Sequence, residues 1–380
     1  MLFYRKLYTV FTHTEKDDQV TMSSLNIYAG SVALKRIQEE GFHAGLFGGF
    51  LGASGGPKWF VLAGLDKVIF PEFLDSKSSS IDIMGSSAGA FRAACLAQDK
   101  PAEAIERLAN NYAKTVYSAK PDAKEITEKG YDLLYRMLGE NGISEALGST
   151  KKNVHFFVQH CHGLVSSERK PSQLLGLSVA AARNMIKRKS ISRQFTRAVF
   201  SARPKKDLFS DPYHFPTDYY SLNKDNFVPS LMASGSIPIV LEGIKNIPNA
   251  KPGIYRDGGI IDYHFDLAFE KSDLVLYPHF YRTPTPGWFD KNVPSRQCHE
   301  GSYENVVMLV PSQEFVANLP YSKIPDRQDF KDMEADQRIK YWLEVIKQSD
   351  RLAEDFMQHL ESDDILSNIK PIDLKRNKKR

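Results

Sequence analysis

Apolar runs and stretches of helical periodicity alternate along the chain. Residues 41–56 (GFHAGLFGGFLGASGG) are apolar and glycine-rich, which predicts a buried strand ending in a glycine loop. Pro57 suits the first turn of a helix, where its missing N–H has no partner in any case, and KWFVLAGLDKVIF continues that helix. Ser78, Ser79 and Ser80 make a polar break. IDIM at 81–84 is a short buried strand, and the helix SAGAFRAACLAQ starts soon after it. Two successive strand–glycine turn–helix units predict parallel strands. The fold class expected is α/β, a three-layer α/β/α sandwich with a mainly parallel central sheet.

The rest of the chain extends the pattern. AEAIERLANNYAKTVY and ITEKGYDLLYRMLGE predict amphipathic helices within 101–148. NVHFFVQHCHG (153–163) reads as a strand, 171–189 as a helix, and RQFTRAVF (193–200) as a strand. Residues 203–222 are polar and proline-bearing and read as a loop. Residues 226–244 predict a helix broken near Pro238. GIYRDGG, DLVLYP and NVVMLVP are later short strands, 332–361 a long charged helix, and KRNKKR (375–380) a disordered tail. This divides the chain into an N-terminal arm and lead-in (1–40), a main domain (41–320), and a C-terminal helix with a basic tail (321–380). No internal repeat is visible.

Composition narrows the function. The 380 residues suffice for a large core. A net charge of +4 falls short of the basicity of a nucleic-acid binder, so no nucleic-acid partner is expected. Cys95, Cys161 and Cys298 are far apart and odd in number. They form neither a disulfide framework nor a zinc spacing, which points to a reducing, cytoplasmic compartment. The start, MLFYRKLYTVFTHTEKDD, lacks the apolar core of a secretory signal. Residues 1–21 read as a poorly ordered arm or a product of start-site choice before Met22. No run of 18 apolar residues exists, so membrane contact is expected to be peripheral.

Residues 85–89, GSSAG, fit G-x-S-x-G. The spacing has a steric origin. A serine exposed at the carboxyl end of a sheet needs a tight strand-to-helix turn, and a side chain at Gly85 or Gly89 would crowd it. The helix N-terminus then favours negative charge developing at Ser87. The bland alternative is a glycine-rich turn with a buried capping serine. The strand before and the helix after favour a nucleophile.

Residues 52–58, GASGGPK, close the preceding strand unit. Acyl transfer passes through a tetrahedral oxyanion that requires fixed N–H donors. The N–H groups of Gly55 and Gly56 are candidates, with that of Ala88 just after the nucleophile. Gly52 and Lys58 bound the motif, and Lys58 brings positive charge. The segment fits neither G-x-x-x-x-G-K-[ST] nor G-x-G-x-x-G, which argues against a phosphate loop. A plain tight turn is the other reading.

Ser87 needs a base. Ten histidines are available. His264 and His279 come late enough for a Ser-His-Asp triad. His160 and His162 share a strand face, but no carboxylate pattern completes a metal site, and no metal or organic cofactor is implied. The other candidate is Asp257, in the run Tyr255-Arg256-Asp257-Gly258-Gly259. An aspartate before two glycines is placed to project from a strand end, although an ordinary Asp-Gly turn is the commoner meaning of that dipeptide.

Taken in order, these motifs resemble the patatin-like phospholipases. The family pattern is a glycine-rich oxyanion loop, a G-x-S-x-G elbow, and a late D-G-G or D-G-A. The chain has 52–58, 85–89 and Asp257-Gly258-Gly259. Ala233-Ser234-Gly235-Ser236-Ile237-Pro238 also resembles the family's A-S-x-x-x-P block. The resemblance covers about 45–265. It departs from the family's G-G-G-x-[RK]-G loop at Trp59, and the asparagine often found after the aspartate is missing. The resemblance implies a Ser-Asp dyad: Ser87 as nucleophile, Asp257 as base, and a lipid ester as substrate, phospholipid or lysophospholipid.

Residues 169–206 hold eleven basic side chains and no acidic one, around the apolar stretch LLGLSVAAARNMI. This reads first as a core helix with a solvated basic end. The alternative is peripheral docking on anionic lipid.

Overall fold

The computed structural model describes residues 23–76, 79–269, 273–362 and 365–375. The expected arm over 1–21, Ser78 of the serine break and the tail beyond Lys375 lie outside these.

In chain order the strands are β1 (Leu25–Ala29), β2 (Phe47–Gly52), β3 (Ile81–Ser86), β4 (Lys152–Cys161), β5 (Phe195–Ser201), β6 (Phe209–Ser210), β7 (Thr217–Ser221), β8 (Ile244–Lys245), β9 (Ile254–Asp257), β10 (Ala268–Phe269), β11 (Leu274–Pro278), β12 (Val306–Pro311) and β13 (Ile369–Pro371). The main sheet runs β13-β1-β12-β11-β2-β3-β4-β5-β7, with β9 on β4 and β8 on β9. β6 and β10 form a separate ribbon. From β12 through β4 the neighbours are parallel, whereas β1, β5 and β9 run antiparallel to this centre. Every residue of β2, β11 and β12 is buried. Strands covered on both faces read as unbroken apolar runs, which is why DLVLYP and NVVMLVP stood out in the sequence. Helices flank the sheet to give the expected three-layer α/β/α architecture.

The departures have local causes. The helix after Pro57 begins as tight 3-10 turns over Gly56–Leu62 and becomes α-helical only at Ala63–Val68. The long charged helix is two, Ala335–Gln348 and Asp350–Glu361. At their junction the Ser349 hydroxyl accepts from Gly64 N–H at 2.8 Å. A Cβ at Gly64 would lie 2.2 Å from Ser349 O, so the junction docks directly on backbone. The helix predicted over 226–244 is confined to Phe227–Gly235, because Pro238 has no N–H to continue it. Within the expected 203–222 loop, Thr217–Ser221 is an edge strand whose polar side chains face partly to water.

Candidate active site

The centre of the site follows from strand register. β3 runs parallel to β4 and pairs with it as far as Ser86, opposite Phe157. β9 runs antiparallel to β4 and reaches it with Asp257 opposite Val158. Two strands therefore share one edge of β4 and run head-on into each other. Both must leave the sheet at the meeting point. The chain after Ser86 turns into the helix Ala88–Leu96, and the chain after Asp257 turns through Gly258–Ile260.

The first turn is strained. Ser87 has φ 55° and ψ −126°, a conformation that costs an L-residue about 1–3 kcal/mol. Its neighbours leave no room for side chains. A Cβ on Gly89 would lie 1.7 Å from Gly52 O, and one on Gly85 would lie 2.3 Å from Gly89 O. Gly52, Gly85 and Gly89 thus let the glycine loop and the elbow touch backbone to backbone. In the second turn, a Cβ on Gly258 would meet Phe157 O at 2.1 Å, and one on Gly259 would meet Ser54 Oγ at 2.6 Å.

Between the two turns, Ser87 Oγ donates to Asp257 Oδ2 at 2.7 Å. Asp257 Oδ1 accepts from Gly259 N–H at 2.7 Å, which fixes the carboxylate plane. Both residues are nearly buried, at 8% and 6% exposure. Burial pushes the Asp257 carboxyl up to about 6, against the opposing pull of the Ser87 hydroxyl, the Gly259 N–H, and the Arg327 and Lys291 charges. Arg256 faces the other way, as strand alternation requires, and pairs with Glu168 at 2.7 Å.

Gly55 and Gly56 line a small pocket together with Ser87, Asp257, Tyr263 and Arg327. Gly56 has φ 58°, which places it where glycine is favoured. Ala88 lines the larger cleft beside it, at the first turn of its helix. Lys58 lines neither cavity. Its ammonium is paired with Asp326, and burial pulls it down to about 8.

The histidines lie elsewhere. His264 Nδ1 accepts from Thr285 N–H at 2.8 Å, and its ring lies 4.2 Å from that of Tyr263, tilted by 31°. His279 Nδ1 lies 2.6 Å from Tyr281 O, and burial pushes its imidazole down to about 3. No hydrogen bond joins either to Ser87. His160 and His162 do neighbour each other, with ring centroids 4.6 Å apart. Among the described residues no group of three or more His, Cys, Asp or Glu side chains could hold a metal ion.

Ser234 is a residue to which the motif reading gave no role. Its Oγ accepts from Ser87 N–H at 2.9 Å and donates to Phe157 O at 2.7 Å. It thereby ties the elbow to the β4 residue at which the two strands meet. The A-S-x-x-x-P block was the available signal.

The pocket at Ser87 continues into a cleft of about 1540 Å³ with walls that include Phe91, Leu133, Leu177, Met232, Phe289 and Phe330. Ordinary small-molecule pockets hold roughly 300–1,000 Å³. One wall is the helix Lys170–Ile186, and its amphipathicity is inverted. Gln173, Gly176, Leu177, Ala180 and Asn184 face inward. Leu174, Leu175, Val179, Met185 and Ile186 are exposed, Leu174 and Met185 toward the cleft and Ile186 at 88%. The helix thus packs one face into a smaller core cluster through Leu177 and Ala180 and leaves an apolar face uncovered. The eleven basic residues also divide. Arg188 and Arg197 are buried on Asp290 and on Asp262 with Asp211. Lys170, Lys187 and Lys189 remain exposed around the apolar face.

A serine on such an elbow, at the carboxyl end of a mainly parallel sheet, is the layout found in α/β hydrolases that form an acyl-enzyme. The comparison with known families is more specific. The patatin-like phospholipase family model, that of a family of lipid acyl hydrolases, matches residues 82–264. The match starts on β3 and ends just past the turn that carries Asp257. No curated protein sequence matches the chain. Among solved structures, VipD from Legionella pneumophila aligns over 70% of this chain and 55% of its own, with 12% identity and a TM-score of 0.30. The chain thus spans about half the length of that protein. No described helix is long and apolar enough to cross a membrane.

Proposed function

We propose that the protein cleaves the carboxylic ester of a phospholipid or lysophospholipid through a Ser87-Asp257 dyad. The Asp257 carboxylate takes the Ser87 hydroxyl proton as Oγ attacks the ester carbonyl carbon. The tetrahedral oxyanion forms against the N–H groups of Gly55, Gly56 and Ala88. Collapse expels the alcohol, which receives the proton from Asp257 and leaves an acyl-serine. Asp257 then deprotonates a water that attacks the acyl carbon, and the fatty acid departs. The observation that carries this reading is the 2.7 Å bond from Ser87 Oγ to Asp257 Oδ2, at the end of a large apolar cleft. A buried carboxylate near pH 6 is a stronger base than one in water, yet remains ionised at neutral pH.

The inverted helix Lys170–Ile186 supports peripheral docking on an anionic bilayer. Its outward apolar face would enter the acyl boundary, while Lys170, Lys187 and Lys189 meet head groups. The same helix walls the cleft, so a lipid would pass from bilayer to Ser87 without crossing water.

The test is hydrolysis of medium-chain p-nitrophenyl esters and of phosphatidylcholine vesicles by wild type, Ser87→Ala and Asp257→Asn, each checked for folding. Both variants are expected to lose at least a thousandfold in kcat/KM. Activity that survives Ser87→Ala overturns the nucleophile. Activity that survives Asp257→Asn alone returns the base to His264 or His279. A folded wild type that binds vesicles and cleaves no ester leaves a lipid-binding protein on the same scaffold.

A further inference from the structure

Beside Ser87 the charges do not balance. Lys58 is answered by Asp326 and Lys323 by Asp329. Arg327 and Lys291 stand among these groups, and neither has a carboxylate within 4.0 Å among the described residues. Both line the large cleft, and Arg327 also lines the small pocket with Ser87, Asp257, Gly55 and Gly56. A Cβ on Gly56 would lie 3.0 Å from Arg327 Cγ, so the arginine stem runs along the glycine loop. Lys291 Nζ sits 3.9 Å from the centre of the Tyr263 ring, on the wall of the same pocket. The two cations oppose each other: burial and then the Arg327 charge pull the Lys291 ammonium down to about 7. Two like charges that share one cleft, with Asp257 attracting both only from beyond ion-pair distance, are incompletely balanced, and an anion placed between them relieves that cost.

We propose that Arg327 and Lys291 form an anion subsite beside Ser87 that takes the phosphate of a glycerophospholipid head group while the acyl chain occupies the apolar cleft. The proposal rests on the lipid-ester reading above and makes it more specific. Arginine presents a planar fork that matches phosphate oxygens in pairs, and lysine adds a point charge. The subsite lies outside residues 82–264, so the family match does not include it. In this arrangement the phosphate belongs to the departing alcohol. Its charge positions the ester carbonyl over Ser87 and keeps the lysolipid or glycerophosphate product on the solvent side.

Binding separates this idea from the catalytic one. The full chain carrying Ser87→Ala is titrated with two ether-linked lipids that cannot be cleaved: an alkyl-glycerol phosphate and the alkyl-glycerol of the same chain length. The phosphate lipid is expected to bind at least tenfold more tightly, from the usual strength of charge-assisted hydrogen bonds. Adding Arg327→Gln or Lys291→Gln should reduce that ratio about tenfold, and Lys35→Gln, an exposed side chain that lines neither cavity, should leave it unchanged. Equal affinities for the two lipids, or a ratio unmoved by both substitutions, overturns the subsite. Inorganic phosphate that binds as tightly as the phosphate lipid overturns the head-group assignment in favour of free phosphate. Because no turnover is read, loss of the Ser87-Asp257 mechanism would show in the ester assay and not here.

Discussion

Ser87 Oγ meets Asp257 Oδ2 across 170 positions of sequence because one strand, β4, receives both of their strands end to end. The distance is a property of register. Ser86 stands opposite Phe157 and Asp257 opposite Val158, the next residue. A slip of β9 by one residue would turn the carboxylate to the other face of the sheet. Gly258 holds the register, since any side chain there would strike Phe157 O. The carboxylate is buried by the same collision that aims it.

That burial has a pH signature. Asp257 rises from an ordinary 3.8 to about 6, mainly through desolvation. As a base it must be ionised, so kcat/KM is expected to fall about tenfold per pH unit below 6, with a single acid limb. The stability effect has the opposite sense. A carboxyl whose folded value lies above its unfolded one contributes stability below pH 3.8, and this is lost as pH rises through about 6. The loss at neutral pH is on the order of 3 kcal/mol. Asp257→Asn removes the charge and leaves Gly259 N–H and Ser87 Oγ with partners. It should therefore raise the melting temperature at pH 7.5 while abolishing turnover, and the two proteins should converge toward pH 4. Equal melting temperatures across that range would show that the ionised carboxylate carries no such strain.

The elbow at Ser87 was legible in the sequence because its steric demand is local: a serine on a tight turn excludes side chains two residues either way, and Gly85 and Gly89 record this. The parallel centre was legible for a similar reason, since strands buried on both faces are apolar throughout. The edges were not. Thr217–Ser221 looks like loop because an edge strand half in water has loop composition. The uncovered face of Lys170–Ile186 was not legible because an apolar stripe carries no sign of which way it points. Lys58 shows the limit for charges: its place beside the glycine loop is written in the chain, but its capture by Asp326, far along the sequence, is not. Arg327 and Lys291 sit in no motif and acquire meaning only from the cleft they line.

Ser234 should act on Ser87 without touching substrate. Its hydroxyl bridges Ser87 N–H and Phe157 O. Ser234→Ala leaves a buried N–H and a buried C=O without partners, which costs about 1–3 kcal/mol for each group left unsatisfied. The elbow, already strained, should relax. The expected result is a drop of about tenfold in kcat with little change in KM, together with a lower melting temperature. Restoration by Ser234→Thr, which keeps the hydroxyl, separates the bridge from simple loss of volume. A kcat unchanged in Ser234→Ala would remove the residue from the positioning of Ser87.

Gly89 tests the backbone contact between loop and elbow. Its Cβ would fall 1.7 Å from Gly52 O and 2.1 Å from Gly52 C, far inside contact distance. Gly89→Ala must therefore separate the glycine loop from the helix start or fail to fold. A folded Gly89→Ala protein is expected to lose both the oxyanion N–H alignment and at least a hundredfold in kcat, while the remote control Gly148→Ala, where a Cβ meets nothing within 4 Å, behaves as wild type. Full activity in Gly89→Ala would mean that the loop and the elbow need not touch for catalysis.

The outward face of the Lys170–Ile186 helix makes the last prediction. Ile186 is 88% exposed and lines neither cavity, an unfavourable arrangement for a helix that meets only water. Ile186→Asp should cost the fold nothing, since the side chain has few neighbours to lose, and should gain solubility. In sedimentation with vesicles containing phosphatidylserine, wild type should bind and Ile186→Asp should bind several-fold less. Raising salt from 0.1 to 0.5 M should weaken wild type through Lys170, Lys187 and Lys189 while leaving the apolar share of the affinity. Hydrolysis of vesicle lipid should fall in parallel with binding. Hydrolysis of a soluble p-nitrophenyl ester should not, because Ile186 stands at neither cavity. If Ile186→Asp and wild type sediment equally, the apolar face docks elsewhere than on a bilayer, and lipid must reach Ser87 by another wall of the cleft.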